Sequence, residues 1–107
     1  MSDEQCVQAA DLSDSPDWEC PAVSPHPARA RANHTVLAWT ALAPERSRVQ
    51  EFTCACTAVY YELIAHSGAY LIHKVTQLDT PVHAFAGPWP HAEARRWWSL
   101  LIVGDAR

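Results

Sequence analysis

The C-terminal part of the chain constrains the fold most, because it reads as one amphipathic helix that needs a surface to pack on. Between positions 94 and 102, apolar residues recur at the i, i+3, i+4, i+7 spacing of a helical stripe. Pro90 suits the first helical position, where its missing N–H would have had no partner. Gly104 suits the position just beyond the helix, where left-handed residues are common. The sequence therefore predicts a helix between these two residues, with a stripe of Ala94, Trp97, Trp98, Leu101 and Ile102.

Two β-rich runs before this helix predict a hairpin as the partner surface. Residues 52–66 and 69–78 are rich in Thr, Val, Tyr and Ile, and the turn dipeptide Ser67-Gly68 separates them. A two-residue loop fixes the register of the strands, so particular side chains are expected to face each other. The expected pairs are Glu62 with His73 and Tyr61 with Lys74.

Three further features complete the predicted sheet. The apolar alternation changes parity within residues 52–66, and a bulge near Thr57-Ala58 would reconcile the two parts. Val82 to Ala86 is expected to form a short strand that Gly87-Pro88 ends, and Thr35 to Leu42 alternates as a first strand would. Together these elements predict an α+β fold, namely an antiparallel β-meander of about four strands with one C-terminal helix packed on one face.

Charge divides the chain into two parts. Residues 1–28 hold six of the twelve acidic residues and no Lys or Arg, whereas residues 29–107 hold the other six acidic residues and all eight basic ones. A segment this acidic and this poor in apolar periodicity is expected to be disordered. We therefore predict an acidic, Pro-containing tail over residues 1–33 and a single small α+β domain over residues 34–107.

The sequence gives no sign of a membrane segment. No stretch approaches the ~18–20 apolar residues of a membrane helix, and no basic region followed by an apolar run opens the chain. We therefore expect a cytoplasmic protein without a membrane partner. In a reducing cytoplasm the four cysteines are expected to be thiols rather than a disulfide framework.

Cys54-Ala55-Cys56 is the cysteine arrangement that suggests a site. On an extended strand the two side chains project from one face with α-carbons about 6.6–6.8 Å apart, at or beyond the upper edge of disulfide geometry. A metal ion reaches both thiolates more easily than a bond joins them. Zinc would need two more ligands, and His73 and His83 on neighbouring strands are the nearest candidates. The favoured interpretation is two core thiols and no cofactor, with a zinc site of Cys54, Cys56, His73 and His83 as the alternative.

An enzymatic interpretation rests on a carboxylate beside an imidazole. Glu62 next to His73 would orient the ring for general base chemistry, and Cys56 is the available nucleophile. The sequence lacks a glycine-rich phosphate loop, a GxSxG elbow and an HExxH motif. We therefore favour a protein that is not an enzyme, with catalysis by Glu62, His73 and Cys56 as the alternative.

The tryptophan content favours a binding module. The chain has five Trp, which is more large aromatic surface than one sheet and one helix readily bury, so part of it is expected to lie at an interface. Such a surface would serve a homodimer, another protein partner or a small aromatic or apolar ligand. The residues expected to form it are Trp39, Trp89, Trp97, Trp98, Tyr60 and Tyr61.

Nucleic-acid binding is disfavoured by the charge. The net charge is −4, and the basic residues are scattered rather than gathered in one stripe. A phosphate-binding face would require Arg46, Arg48, Arg95 and Arg96 to converge. The sequence thus predicts a small accessory or regulatory binding module. A small metal- or cysteine-dependent enzyme is the first alternative, and a weak nucleic-acid-binding regulator is the second.

Overall fold

The computed structural model describes residues 24–107, and these form one antiparallel sheet followed by one helix. The strands are hydrogen-bonded in the order β1-β2-β3-β4, so each strand pairs with its neighbour in sequence. The predicted α+β meander with a C-terminal helix is confirmed. The elements are β1 (Arg48–Phe52), β2 (Val59–His66), β3 (Ala69–Thr76), β4 (Val82–Trp89) and α1 (His91–Ile102).

The hairpin of β2 and β3 has the predicted loop and register. Ser67 and Gly68 have φ values of 51° and 80°, the positive values that a two-residue hairpin turn requires at both central positions. The turn fixes a ladder in which every residue of β2 faces one residue of β3. The two predicted pairs, Glu62 with His73 and Tyr61 with Lys74, are confirmed.

The helix also follows its sequence pattern. It begins at His91, so Pro90 is the N-cap rather than the first helical residue. Val103 is the C-cap, and Gly104 follows it with a φ of 89°, the left-handed conformation predicted for that position. The apolar stripe faces the sheet. Ala94, Trp98 and Leu101 are buried, and Trp97 and Ile102 are partly buried against the core.

The main core lies between α1 and one face of the sheet, which we call the helix face. Trp98 is 3% exposed, and its indole N–H donates to a carboxylate oxygen of Glu51 at 3.1 Å. Glu51 also forms an ion pair with Arg95, so β1 is connected to the helix by two contacts. The buried residues of this core are Leu37, Tyr61, Leu63, Ile72, Ala86, Ala94, Trp98, Leu101 and Ala106.

The opposite side of the sheet, which we call the second face, carries a smaller cluster. Ile64, Leu71 and Phe85 are buried there. Neighbours in sequence such as Leu63 and Ile64 point to opposite faces, so the central strands are buried on both sides. This explains why residues 59–66 read as a nearly continuous apolar run rather than a strict alternation.

The predicted first strand, Thr35 to Leu42, is wrong. Thr40 forms an isolated bridge with Phe85 of β4, and Thr35 forms another with Ala106 near the C-terminus. The backbone groups of this segment therefore bond to two different partners and make no continuous ladder. The apolar alternation nevertheless indicates which side chains are buried, because Leu37 is in the core and Trp39 packs against it. The first strand is β1 instead.

The connection between β1 and β2 also differs from the prediction. Residues 53–58 lie outside the strands and contain a turn at residues 55 and 56, so the bulge expected near Thr57-Ala58 is wrong. The change of parity arises because the chain leaves the sheet between β1 and β2. A register shift does occur, but it lies within β1, between Val49 and Glu51.

Strand β4 is longer than predicted, since it continues to Trp89 rather than ending at Ala86. Gly87 has a φ of 118°, a conformation that a residue with a Cβ rarely adopts. The register of β3 and β4 shifts at this point, between Tyr70 and Ile72, and Trp89 then pairs with Tyr70. This register shift allows the strand to continue through the Gly-Pro dipeptide, which we expected to end it.

Residues 25–37, which we call the arm, pack along the C-terminal end of the chain. Residues 24–33 belong to the predicted tail, and the rest of that tail, residues 1–23, lies outside the described residues. Within residues 24–107 no helix is long and apolar enough to cross a membrane. The arm's N–H groups donate from Ala28 to Ile102, from Arg31 to Gly104 and from Thr35 to Asp105, each at 2.8 Å.

The burial of Tyr61 predicts a loss of stability in alkali. Burial raises the pKa of this phenol above 10.0, and the charge of Arg107 acts in the opposite direction. A raised pKa means that the folded state holds the phenol proton more tightly than the unfolded state does, so the protonated phenol contributes to stability. This contribution to stability is complete below about pH 10 and falls as the pH rises further. Burial, followed by the charge of Glu62, raises the pKa of Tyr60 as well. We therefore expect the urea midpoint of the wild-type protein to fall above pH 10. Tyr61→Phe should reduce this fall without removing it, because Tyr60 remains.

Candidate metal centre

Three metal-ligating side chains converge where the arm crosses the turn between β1 and β2. The arm contributes His26, and the turn contributes Cys54 and Cys56. One ligand atom from each residue lies within 4.8 Å of the other two. His26 Nε2 lies 3.0 Å from Cys56 Sγ. We call these three residues the Cys2His group.

Backbone hydrogen bonds set the position of the group. The N–H of Cys54 donates to the carbonyl of Pro25 at 2.9 Å, so the residue before His26 is held against the turn. Thr53, which is 1% exposed, exchanges two bonds with Tyr61 of β2. Its N–H donates to the Tyr61 carbonyl at 2.8 Å, and its Oγ1 accepts from the Tyr61 N–H at 2.9 Å. The turn is thereby fixed to the core on the side of Cys54.

Side-chain hydrogen bonds hold the other side of the turn. The amide nitrogen of Gln77 donates to the carbonyls of Ala55 and Thr57, at 2.8 and 2.7 Å. The hydroxyl of Thr57 donates to the carbonyl of Val59 at 2.7 Å. These hydrogen bonds fix the backbone on both sides of Cys56. The side chains of Cys54 and Cys56 therefore lie on a hydrogen-bonded turn rather than on a strand.

The spacing of the group is close to what a zinc ion requires. With Zn–S bonds of about 2.3 Å and Zn–N bonds of about 2.0–2.1 Å, the ligand atoms of a tetrahedral site lie about 3.5–3.8 Å apart. The observed group needs only small side-chain movements to reach these separations. Burial also varies across it: Cys54 is 8% exposed, Cys56 is half-buried and His26 is exposed. The Cys2His group therefore extends from the interior of the domain to its surface.

The structure brings together only part of the predicted ligand set. His73 and His83 do not belong to the group around Cys54 and Cys56, and neither cysteine lies on a strand as we expected. The sequence reasoning missed His26, because it considered only histidines on strands next to the cysteines. The sequence does contain a signal, since His26 is flanked by two prolines in a Pro-His-Pro segment that limits the local backbone.

The predicted pair of Glu62 and His73 forms part of a second polar array on the second face. His73 Nδ1 lies 2.9 Å from a carboxylate oxygen of Glu62, and His73 Nε2 lies 2.9 Å from His83 Nδ1. In a neutral His73 ring whose Nδ1–H donates to Glu62, Nε2 accepts from His83. Phe85 stacks on the His73 ring with centroids 4.5 Å apart. Cys56 contacts His26 instead, so the three residues proposed for catalysis are not brought together.

The predicted aromatic surface is divided between the core and the surface. Trp98 and Tyr61 are 3% and 6% exposed, so they belong to the core of the helix face. Trp39 is tilted against Tyr61 at 6.2 Å, and its indole N–H donates to the carbonyl of Arg107 at 3.1 Å. The half-buried members of the predicted set are Trp39, Trp89, Trp97 and Tyr60.

Comparison with known proteins adds no relative. No family model matches the chain, and no curated protein or solved structure is similar to it at a significant level. The chemistry of the Cys2His group must therefore be judged from its own residues and distances.

Proposed function

We propose that this protein is a small zinc-binding accessory module, in which zinc bound by His26, Cys54 and Cys56 holds the arm on the sheet. The observation that carries the proposal is the convergence of three ligand atoms within 4.8 Å of one another. Two thiolates and an imidazole are the ligands that zinc prefers, whereas Ca²⁺ and Mg²⁺ take oxygen ligands. The group contains no carboxylate, so its chemistry selects zinc over those ions.

A structural metal also suits the size of this domain. Small domains bury too little apolar surface to be very stable, and structural zinc is one of the usual remedies. The ligands come from two segments that are 28 or more residues apart in sequence, so the metal would close a long loop. Zinc in this position would stabilise the arm and the β1–β2 turn together.

Apolar side chains at the surface support the proposal of a binding role rather than a catalytic one. Trp39, Trp89 and Trp97 are half-buried, and Val49 and Phe52 of β1 are exposed. The outer edge of β1 carries no strand partner among residues 24–107. Half-exposed aromatic side chains and an open strand edge are features that a protein partner or a second copy of the chain would cover.

We expect native mass spectrometry of protein purified without chelator to find one zinc per chain. His26→Ala should lose this zinc to a competing chelator, because it removes one of three protein ligands. His83→Ala is the matched control, since His83 is exposed and lies outside the Cys2His group. Wild-type protein without zinc, or equal loss from both variants, would contradict the proposal. The same spectrum reports the mass of any homodimer.

A further inference from the structure

A pocket of about 320 Å³ lies where the arm passes the start of β2. Residues 27–29 of the arm line it together with Val59, Tyr61 and Arg107. Small-molecule sites measure about 300–1,000 Å³, so the size of this pocket suits a small ligand. The pocket and the Cys2His group have no residue in common. It is therefore a second candidate site with a chemistry of its own.

The hydroxyl of Tyr61 is a buried polar group without a hydrogen-bond partner among residues 24–107. The residue is 6% exposed, and its bonds to Thr53 use only its backbone N–H and carbonyl. Buried phenol groups usually find a partner, and an exception calls for an explanation such as a bound water or ion. Since Tyr61 lines the pocket, an acceptor bound there would supply this partner.

Arg107 brings further donors and a positive charge to the same pocket. Its guanidinium donates to the carbonyls of Leu101 and Ala106, at 2.7 and 2.8 Å, and to that of Ala28. A guanidinium has five N–H donors, so two remain. Its central carbon lies 5.9 Å from the centroid of the Tyr61 ring. Arg107 takes part in no ion pair between residues 24–107, so no carboxylate side chain among them neutralises its charge.

We propose that this pocket binds a small organic carboxylate with an apolar body. The carboxylate would accept from the Tyr61 O–H and from the remaining N–H groups of Arg107. The exposed Arg29 would add a second positive charge, and Pro27 and Val59 would contact the apolar body. No acidic side chain of residues 24–107 lines the pocket, so its described lining offers no negative charge to oppose an anion.

NMR titration of the full-length protein with benzoate, followed at the tryptophan indole N–H signals, tests the proposal. Trp39 is the reporter, because it packs against Tyr61 and its indole N–H donates to the carbonyl of Arg107. Trp98 is the internal control, since its indole N–H donates to Glu51 in the core. We expect only the Trp39 signal to move, with a dissociation constant of about 1 mM or below. Benzamide has a similar shape without the charge, so it should bind at least about tenfold more weakly.

Three variants separate the hydroxyl from the charge. Tyr61→Phe removes the hydroxyl and keeps the ring, so it should weaken benzoate binding at least about tenfold. Tyr60→Phe is the matched control, because Tyr60 is the neighbour of Tyr61 on β2 and points to the second face. It should leave the affinity unchanged. Arg29→Gln should weaken binding about two- to fivefold, since this charge is exposed. The Arg29 side chain makes no hydrogen bond within residues 24–107, so this variant should keep the fold.

The outcomes that would overturn the inference are distinct from those that bear on zinc. A Trp39 signal that does not move with benzoate would mean that the Tyr61 hydroxyl bonds to water only. Equal affinities for benzoate and benzamide, or unchanged binding by Tyr61→Phe, would show that the assigned donors do not hold a carboxylate. Inorganic phosphate that competes at the affinity of benzoate would rule out the apolar body. Wild-type protein that binds benzoate but carries no zinc would support this inference and contradict the function proposed above.

Discussion

Removal of zinc is expected to lower the melting temperature of the wild-type protein by more than about 15 °C. A ligand that binds only the folded state contributes about 4 kcal/mol when its free concentration is about 1,000 times its dissociation constant. In a domain of this size each kcal/mol corresponds to roughly 4–8 °C. The proposed zinc would join His26 of the arm to two cysteines of the β1–β2 turn, so its removal should loosen both segments. Thermal unfolding with and without a chelator measures the difference.

The matched control is the double variant Cys54→Ser/Cys56→Ser. It lacks both sulfur ligands of the group, so its melting temperature should be close to that of the chelated wild-type protein. Addition of chelator should not lower it further. A wild-type shift below about 3 °C, which is less than 1 kcal/mol on this scale, would argue against a structural metal. An equal shift in the double variant would show that the chelator acts elsewhere.

The parts of the fold that were predictable depend on interactions between residues close in sequence. The hairpin turn follows from Ser67-Gly68, where positive φ values are needed at both positions. The helix follows from an apolar stripe of period 3.6 and from Gly104 at its end. In both cases the residues that determine the structure are close together in sequence, so local propensity and burial favour the same structure.

The parts that were not predictable depend on distant partners. The segment from Thr35 to Leu42 alternates like a strand, but its backbone bonds go to Asp105, Arg107 and Phe85. An apolar alternation shows which side chains are buried without showing which backbone groups pair. This segment therefore forms two isolated bridges rather than the expected ladder, although Leu37 is buried as a strand residue would be.

The same limit applied to the candidate site. Cys54 and Cys56 were found because they are two residues apart. Their partner His26 lies 30 residues before Cys56, and it is brought there by the bond between the Cys54 N–H and the Pro25 carbonyl. The prolines on both sides of His26 limit its local backbone, but they do not specify which other segment it contacts. Sequence reasoning chose His73 and His83 because a predicted sheet made them neighbours, and these two residues bond to each other instead.

The arm connects the Cys2His group to the end of the helix, and this connection can be tested at Gly104. A Cβ at this position would collide with the backbone carbonyl oxygen of Arg29 in the arm. Gly104 also has a φ of 89°, where an L-residue costs about 1–2 kcal/mol. We expect Gly104→Ala to lower the free energy of unfolding by at least about 3 kcal/mol, because the backbone strain and the displacement of the arm add.

Gly68→Ala is the control that separates these two effects. Gly68 has a similar φ of 80°, but a Cβ there would meet no atom within 4 Å. Its substitution should therefore cost only the backbone strain of about 1–2 kcal/mol. Because the arm carries His26, Gly104→Ala should also weaken zinc binding, whereas Gly68→Ala should leave it unchanged. Urea unfolding and chelator competition on both variants measure the two quantities. Equal losses of stability with unchanged zinc affinity would mean that the close approach of Arg29 to Gly104 does not hold the arm.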